Sequence, residues 1–234
     1  MKVAFSKQFS RIVLLTIFLA FGLVYGLMNA RAQTAEPELW ITWQAKNYAP
    51  YDFAGKKLPT VGTPVVTSVA LVDGEGRLAD LSTTTIWWYW NNNPIGGGDG
   101  VDAITFRPSD QGDQELSVKV LSYGSQQIRK TISIPVVSPE AVIAAPFSNN
   151  KFSASKIQLQ AQAYFFNVRT PSELNFGWMV NKQNSNASGD SRVLDITFSQ
   201  TPKSGTTIDV SLSIRNPKNI LETASKNKIL GFGN

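Results

Sequence analysis

The chain contains no cysteine and no histidine. Without cysteine there is no disulfide framework, no thiol nucleophile and no thiolate metal site. Without histidine the commonest general base, the Ser-His triad and every His-ligated zinc site are excluded as well. Carboxylate pairs for glycoside hydrolysis remain possible chemistry, but no spacing in the sequence singles one out. The composition therefore reads as a protein that is not an enzyme and uses no cofactor and no metal. Charge is also sparse, at 17% of residues, and the formal net charge of +5 is unevenly placed. Lys2, Lys7, Arg11 and Arg31 all precede residue 33, which leaves 18 of the 22 basic residues against all 17 acidic ones. That nearly neutral remainder argues against a nucleic acid partner, because phosphate binding needs a concentrated basic surface.

Long hydrophobic runs are missing too, with one exception at the start. Met1 to Arg11 carries three cations and no acid, and Ile12 to Met28 is then apolar apart from Thr16 and two glycines. Ala30-Arg31-Ala32 follows, with small residues at Ala30 and Ala32 placed for cleavage before Gln33. This is the layout of a secretory signal, with its positive flank on the cytoplasmic side. The run is long for a signal and falls just short of the ~20 residues of a comfortable membrane span. A cleaved signal peptide and an uncleaved helix anchored in the cytoplasmic membrane by residues 12–28 are therefore the two alternatives. Both place the rest of the chain outside the cytoplasm, secreted or in the cell envelope. A lipoprotein signal needs a cysteine, and no Glu near the start of the run suggests a pilin-like leader.

After residue 37 no stretch holds a helical period over three turns. Short alternating runs broken by Gly, Pro and Asn dominate, which is the strand signature. In Ile157-Gln158-Leu159-Gln160-Ala161-Gln162-Ala163 the apolar residues point one way and the glutamines the other. Comparing the chain with itself reveals a repeat. Ile86-Trp87-Trp88-Tyr89-Trp90-Asn91 lies over Phe176-Gly177-Trp178-Met179-Val180-Asn181 at an offset of 90 residues, as do Val69 and Leu71 over Leu159 and Ala161. Ala103-Ile104-Thr105-Phe106 lies over Asp195-Ile196-Thr197-Phe198, and Val118-Lys119-Val120 over Val210-Ser211-Leu212, both at 92. A unit of about 90 residues built of short strands is the size of one β-sandwich.

A Trp in the third strand, an Asn-containing turn, an Ile-Thr-Phe strand and a final alternating pair resemble bacterial immunoglobulin-like and PKD-like extracellular modules. Trp88 and Trp178 match the core tryptophan of that pattern, and the Trp-Asp-Phe-Gly-Asp run of PKD modules is absent from both copies. The resemblance implies an all-β chain of two tandem immunoglobulin-like β-sandwich domains preceded by an N-terminal hydrophobic helix. The expected division is 1–32 signal peptide or anchor, 33–137 first sandwich and 138–234 second sandwich. Pro135 and Pro139 at the join fix φ and lack amide donors, so a stiff junction and an elongated two-domain rod are expected. The first copy has an aromatic preface, Leu39 to Gly62, expected to supply a strand and then a long loop.

Those aromatics are the candidate contact residues. If Ile86, Trp88 and Trp90 face the core, alternation turns Trp87 and Tyr89 outward, their rings ~7 Å apart, suited to stacking on sugars or to a protein contact. Trp40 and Trp43 are the further candidates, or else they cover Trp87 and Tyr89. Asp99, Asp102, Asp110 and Asp113 lie in Gly-rich loops, where ordinary turn chemistry explains them better than calcium. Asn186-Ala187-Ser188 is a glycosylation sequon. The expected function is a non-catalytic adhesion, assembly or spacer module with an envelope or surface protein, or a polysaccharide, as partner. Its alternatives are a carbohydrate-binding protein using the exposed aromatics and a structural subunit of a surface appendage.

Overall fold

A computed structural model describes residues 36–124, 126–147, 149–185 and 189–233. The expected N-terminal helix, the cleavage residues Ala30, Ala32 and Gln33, and the sequon at Asn186 lie outside the described residues. Among the described residues no helix is long and apolar enough to cross a membrane.

The first half of the chain forms β1 (Glu38–Ala45), β2 (Val65–Val72), β3 (Thr85–Trp90), β4 (Asn93–Asp99), β5 (Ala103–Phe106), β6 (Gly112–Tyr123) and β7 (Gln126–Val136). They pair as a three-stranded sheet, β1-β2-β5, and a four-stranded sheet, β4-β3-β6-β7. The second half forms β8 (Glu140–Ala144), β9 (Lys151–Phe152), β10 (Lys156–Tyr164), β11 (Asn175–Val180), β12 (Gln183–Ser185), β13 (Val193–Thr197), β14 (Thr207–Asn216) and β15 (Asn219–Phe232). Their sheets run β13-β10-β8 and β12-β11-β14-β15-β9. In each half the first, second and fifth major strands make one sheet, and the third, fourth, sixth and seventh make the other. That exchange of strands between two layers is the immunoglobulin-like sandwich. The short β9 adds to the second copy by pairing parallel with the end of β15, a pairing with no sequence signal strong enough to announce it.

Period-two alternation builds both cores. Val65, Val69 and Leu71 of β2, Ile86, Trp88 and Trp90 of β3, and Leu116, Val118 and Val120 of β6 are buried in one cluster with Leu39, Ile134 and Val136. Ile157, Leu159, Ala161 and Ala163 of β10 are buried in a second with Trp178, Leu194, Val210, Leu212, Ile214 and Leu230. Each full burial of a Val, Leu or Ile side chain contributes about 1.5–3 kcal/mol against the entropy of ordering the chain. The tryptophan places are equivalent in detail. Trp88 Nε1 donates to the Val101 carbonyl at 3.0 Å, and Trp178 Nε1 to the Ser191 carbonyl at 3.0 Å. A large ring can be buried this deeply because its polar edge is satisfied.

Register corrects one part of the repeat. Trp88 stands opposite Val118, and Trp178 opposite Leu212, so β6 matches β14 at an offset of 94 rather than 92. A slip of two residues keeps every side chain on the same face, which is why alternation did not expose it. The β5–β13 match at 92 holds: Ile104 stands opposite Thr67, and Ile196 opposite Ile157.

The preface is a strand and a loop, as expected, but the loop reaches the second sandwich. Leu39–Leu71 and Ala79–Asn234 form one compact unit. Within it Tyr48 N–H donates to the Phe166 carbonyl at 2.8 Å, and Phe165 N–H to the Tyr48 carbonyl at 2.7 Å. Asn47 Nδ2 donates to the carbonyls of Leu58 at 2.7 Å and Phe165 at 3.3 Å. The Thr63 hydroxyl donates to Asn167 Oδ1 at 2.6 Å, while Asn167 Nδ2 donates to the Thr60 hydroxyl at 3.1 Å and the Val61 carbonyl at 3.0 Å. Glu222, itself buried, accepts from Asn167 N–H and, at 2.6 Å, from Asn216 Nδ2. Val137 N–H, just past β7, donates to the Pro59 carbonyl at 2.9 Å. The loop thus acts as a clasp beside the proline-bearing join. Phe165 holds a left-handed φ of 64° there, a conformation that a bulky residue keeps only when its surroundings over-determine it.

The segment Val72–Leu78 stands apart from that unit and is a tight turn. Asp73 Oδ1 accepts the amides of Glu75 and Arg77, each at 2.9 Å. Those bonds, led by the Arg77 amide, hold its carboxyl below the usual range.

Candidate functional site

Strand β3 reads as expected. Ile86, Trp88 and Trp90 are buried, while Trp87 is 38% exposed and Tyr89 half-buried on the other face. The β3–β4 hairpin turns at Asn91 and Asn92, with φ of 48° and 63°, the pair of positive values that a two-residue hairpin turn demands. Asn91 Oδ1 then accepts the Glu115 amide at 2.9 Å, tying the turn to β6. Asn181 repeats the bond with the Asp209 amide at 3.0 Å.

Across the sheet Trp87 stands opposite Gly97 on one side and Lys119 on the other, and Lys119 opposite Arg129. A Cβ at Gly97 would lie 2.7 Å from Trp87 Cε3 and 2.4 Å from the Ile86 carbonyl oxygen. The indole therefore lies down over bare backbone. Below it, Tyr89 faces Ser117, whose hydroxyl pairs with that of Thr131 at 2.7 Å and accepts from Arg129 Nη2 at 3.2 Å. The result is a flat face of two rings flanked by cations and hydroxyls. The second copy has Gly177 and Met179 at these two places, and its core is just as complete.

Trp40 and Trp43 do not join that face. Both lie on β1, in the opposite sheet. Trp40 points outward and is 56% exposed, 6.0 Å from Lys130 Nζ. Trp43 points inward, packed against the first core at its edge. Neither covers Trp87 or Tyr89, which lie on the four-stranded sheet. Two of the acids expected in loops lie in strands instead: Asp99 ends β4 opposite Thr85, and Asp113 belongs to β6, opposite Pro135. Asp99 accepts from the Thr85 hydroxyl and Asp110 from that of Ser109, at 2.5 and 2.6 Å. Among the described residues no three acidic side chains gather to hold a metal ion.

Sequence reasoning missed a second surface, on the clasp loop. A cavity of about 390 Å³ is lined by Trp43, Pro50, Tyr51, Phe53, Lys56 and Lys57, among others. Lys56 Nζ stands 3.5 Å from the centre of the Trp43 ring. Burial pushes its ammonium below the ordinary lysine range. The signal available in the sequence was a Lys-Lys pair closing an aromatic-rich loop, but nothing local says that Trp43 lies beneath it.

No protein-family model matches the chain, and no curated protein matches it either. Solved structures do. The three N-terminal domains of the highly immunogenic outer capsid protein of bacteriophage RB49 match at 12% identity and a TM-score of 0.43, over 84% of this chain and 59% of that one. A Bacteroides ovatus protein of a mixed-linkage glucan utilization locus, solved in complex with a mixed-linkage heptasaccharide, matches at 12% identity and TM-score 0.25, over 85% and 48%. The N-terminal Ig1-2 module of the Drosophila receptor protein tyrosine phosphatase DLAR matches at 11% and 0.26, over 85% and 100%. The chain thus spans less than two thirds of the first of these. By the strand order and register of its own sheets, this chain is an immunoglobulin-like tandem sandwich protein.

Proposed function

We propose that the protein is an exported, non-catalytic adhesion or assembly module whose first sandwich makes the contact and whose second supports it. The modules are residues 33–137 and 138–234, and residues 1–32 direct export, either cleaved or retained as an anchor in the cytoplasmic membrane. The partner is a surface protein or a polysaccharide of the cell envelope. One observation carries the reading: the first sandwich lays Trp87 flat on Gly97 beside Tyr89, Lys119 and Arg129. The second sandwich completes the same fold with Gly177 and Met179 there. Aromatic rings that the core does not need, left in part to solvent, are the residues that anchor contacts. The absence of cysteine and histidine supports a binding rather than a catalytic role.

Crosslinking of intact cells followed by mass spectrometry is the test. Peptides carrying Lys119 should link to an envelope component, and Trp87→Ala should reduce its capture on the order of tenfold, a typical hot-spot loss. Undiminished capture by Trp87→Ala would remove this face from the function.

A further inference from the structure

We propose that the cavity between β1 and the clasp loop is a second binding site, and that it takes a carboxylated sugar residue of an acidic polysaccharide. The inference rests on the reading of the protein as a binding module but not on the Trp87 face.

Charge selects the ligand. Lys56 and Lys57 line the cavity and no carboxylate does. Lys57 Nζ donates to the Asn47 carbonyl at 3.2 Å, which leaves donors of its ammonium unused. Lys56 has its ammonium against the Trp43 ring, and among the described residues it forms no ion pair with a carboxylate. Lys56 is exposed, so the ring holds its ammonium in place while leaving it open to an incoming anion. An anion entering the cavity meets two ammonium groups and no carboxylate in the lining, Asp52 being turned to the neighbouring pocket.

The walls select a sugar rather than a bare anion. Tyr51 stands at the mouth, 103% exposed, on a turn closed by a bond from Phe53 N–H to the Pro50 carbonyl at 3.1 Å. Proline restricts the loop at that point. An aromatic ring wholly in water, beside cations, offers a plate for the apolar face of a pyranose. A cavity of about 390 Å³ admits such a ring with space to spare.

The site is also pre-organised. Phe53 lies over Gly55, where a Cβ would stand 2.5 Å from its ring. The same ring meets Tyr164 and Phe165 of the second sandwich edge-on, each at 5.6 Å between centroids. The loop that carries Tyr51, Lys56 and Lys57 is therefore held from below, which lowers the ordering cost of binding.

Titration calorimetry of the full chain with tetragalacturonate, and with its fully methyl-esterified form, tests the assignment. The acidic oligomer should bind, and more weakly as salt rises, because partly exposed charge pairs are screened. The ester should bind at least tenfold more weakly. Lys57→Gln and Tyr51→Ala should each lose about tenfold, while Lys56→Arg should retain binding that Lys56→Gln loses. Tyr51 is fully exposed, so Tyr51→Ala leaves the fold unchanged by circular dichroism. Trp87→Ala should bind as the wild type. Equal binding of acid and ester, no binding, or a loss caused by Trp87→Ala alone would each overturn the proposal. The last outcome would leave the Trp87 face standing as the contact.

Discussion

Trp87 and Trp88 are adjacent in the chain and opposite in fate. Trp88 is fully buried, with its indole N–H bonded to Val101, so truncating it leaves a cavity that the sandwich cannot close. Trp88→Ala and Trp178→Ala should each cost about 3–5 kcal/mol in urea denaturation. Trp87→Ala, by contrast, exposes backbone at Gly97 and should cost about 1 kcal/mol or less. Equal losses for Trp87 and Trp88 would mean that the outer ring is structural. The identity of the inward residue was readable from the repeat, which aligns Trp88 with Trp178 and Trp87 and Tyr89 with Gly177 and Met179. The posture of the outward one was not, because it depends on a glycine ten residues later, on another strand.

At the scale of the element, the β3–β4 hairpin shows how a strand can be built around an absent side chain. Residue 95 is left without a partner where pairing shifts between Trp88 and Tyr89, a bulge that bends the strand. Ile95 packs against the core, Gly97 passes under the Trp87 ring, and Gly96 and Gly98 stand opposite the inward Trp88 and Ile86. Gly97, with φ of 155°, is confined between the Ile86 carbonyl and Trp87. Gly97→Val should force the indole off the sheet and lower stability by about 1–3 kcal/mol. It should also change the near-ultraviolet circular dichroism of the tryptophans. An unchanged spectrum would show that the strand accommodates a side chain and that the flat posture has another cause. The glycine run in the sequence marked a turn-like segment; that it is a strand was decided by pairing with β3.

For the whole molecule, the clasp decides how far the two sandwiches behave as one. Asn167 is its centre, bonded through its side chain to Thr60, Val61 and Thr63 and through its amide to Glu222. Asn167→Ala removes one partner from each of the buried Thr60 and Thr63 hydroxyls, which keep their bond to each other at 3.0 Å, and should cost about 1–3 kcal/mol. The informative readout is local. Hydrogen exchange at the Tyr48 and Phe165 amides, which bond across the two sandwiches, should accelerate in Asn167→Ala while the β6 and β14 amides keep their protection. Unaltered exchange at Tyr48 and Phe165 would show that the loop is held without Asn167, by Phe53 packing and the Asn47 bonds. Pro135 and Pro139 suggested a stiff join from the sequence, but the contacts that tie the halves together come from the preface, some eighty residues earlier.

What the sequence by itself determined follows from short-range rules. Alternation assigned the inward face of β10, and self-similarity located Trp88 and Trp178 and the turns at Asn91 and Asn181. A side chain's face and a turn's φ depend on a few neighbouring residues, so they can be read locally. Only the tertiary structure decided the two-residue slip between β6 and β14, the pairing of β9 with β15, and the reach of the loop to Phe165 and Asn167. It also decided the gathering of Trp43, Tyr51, Lys56 and Lys57 around one cavity. Each of these joins groups distant in the chain or indifferent to a shift of one pleat, and local pattern carries no information about such pairings until the two sheets close over a core.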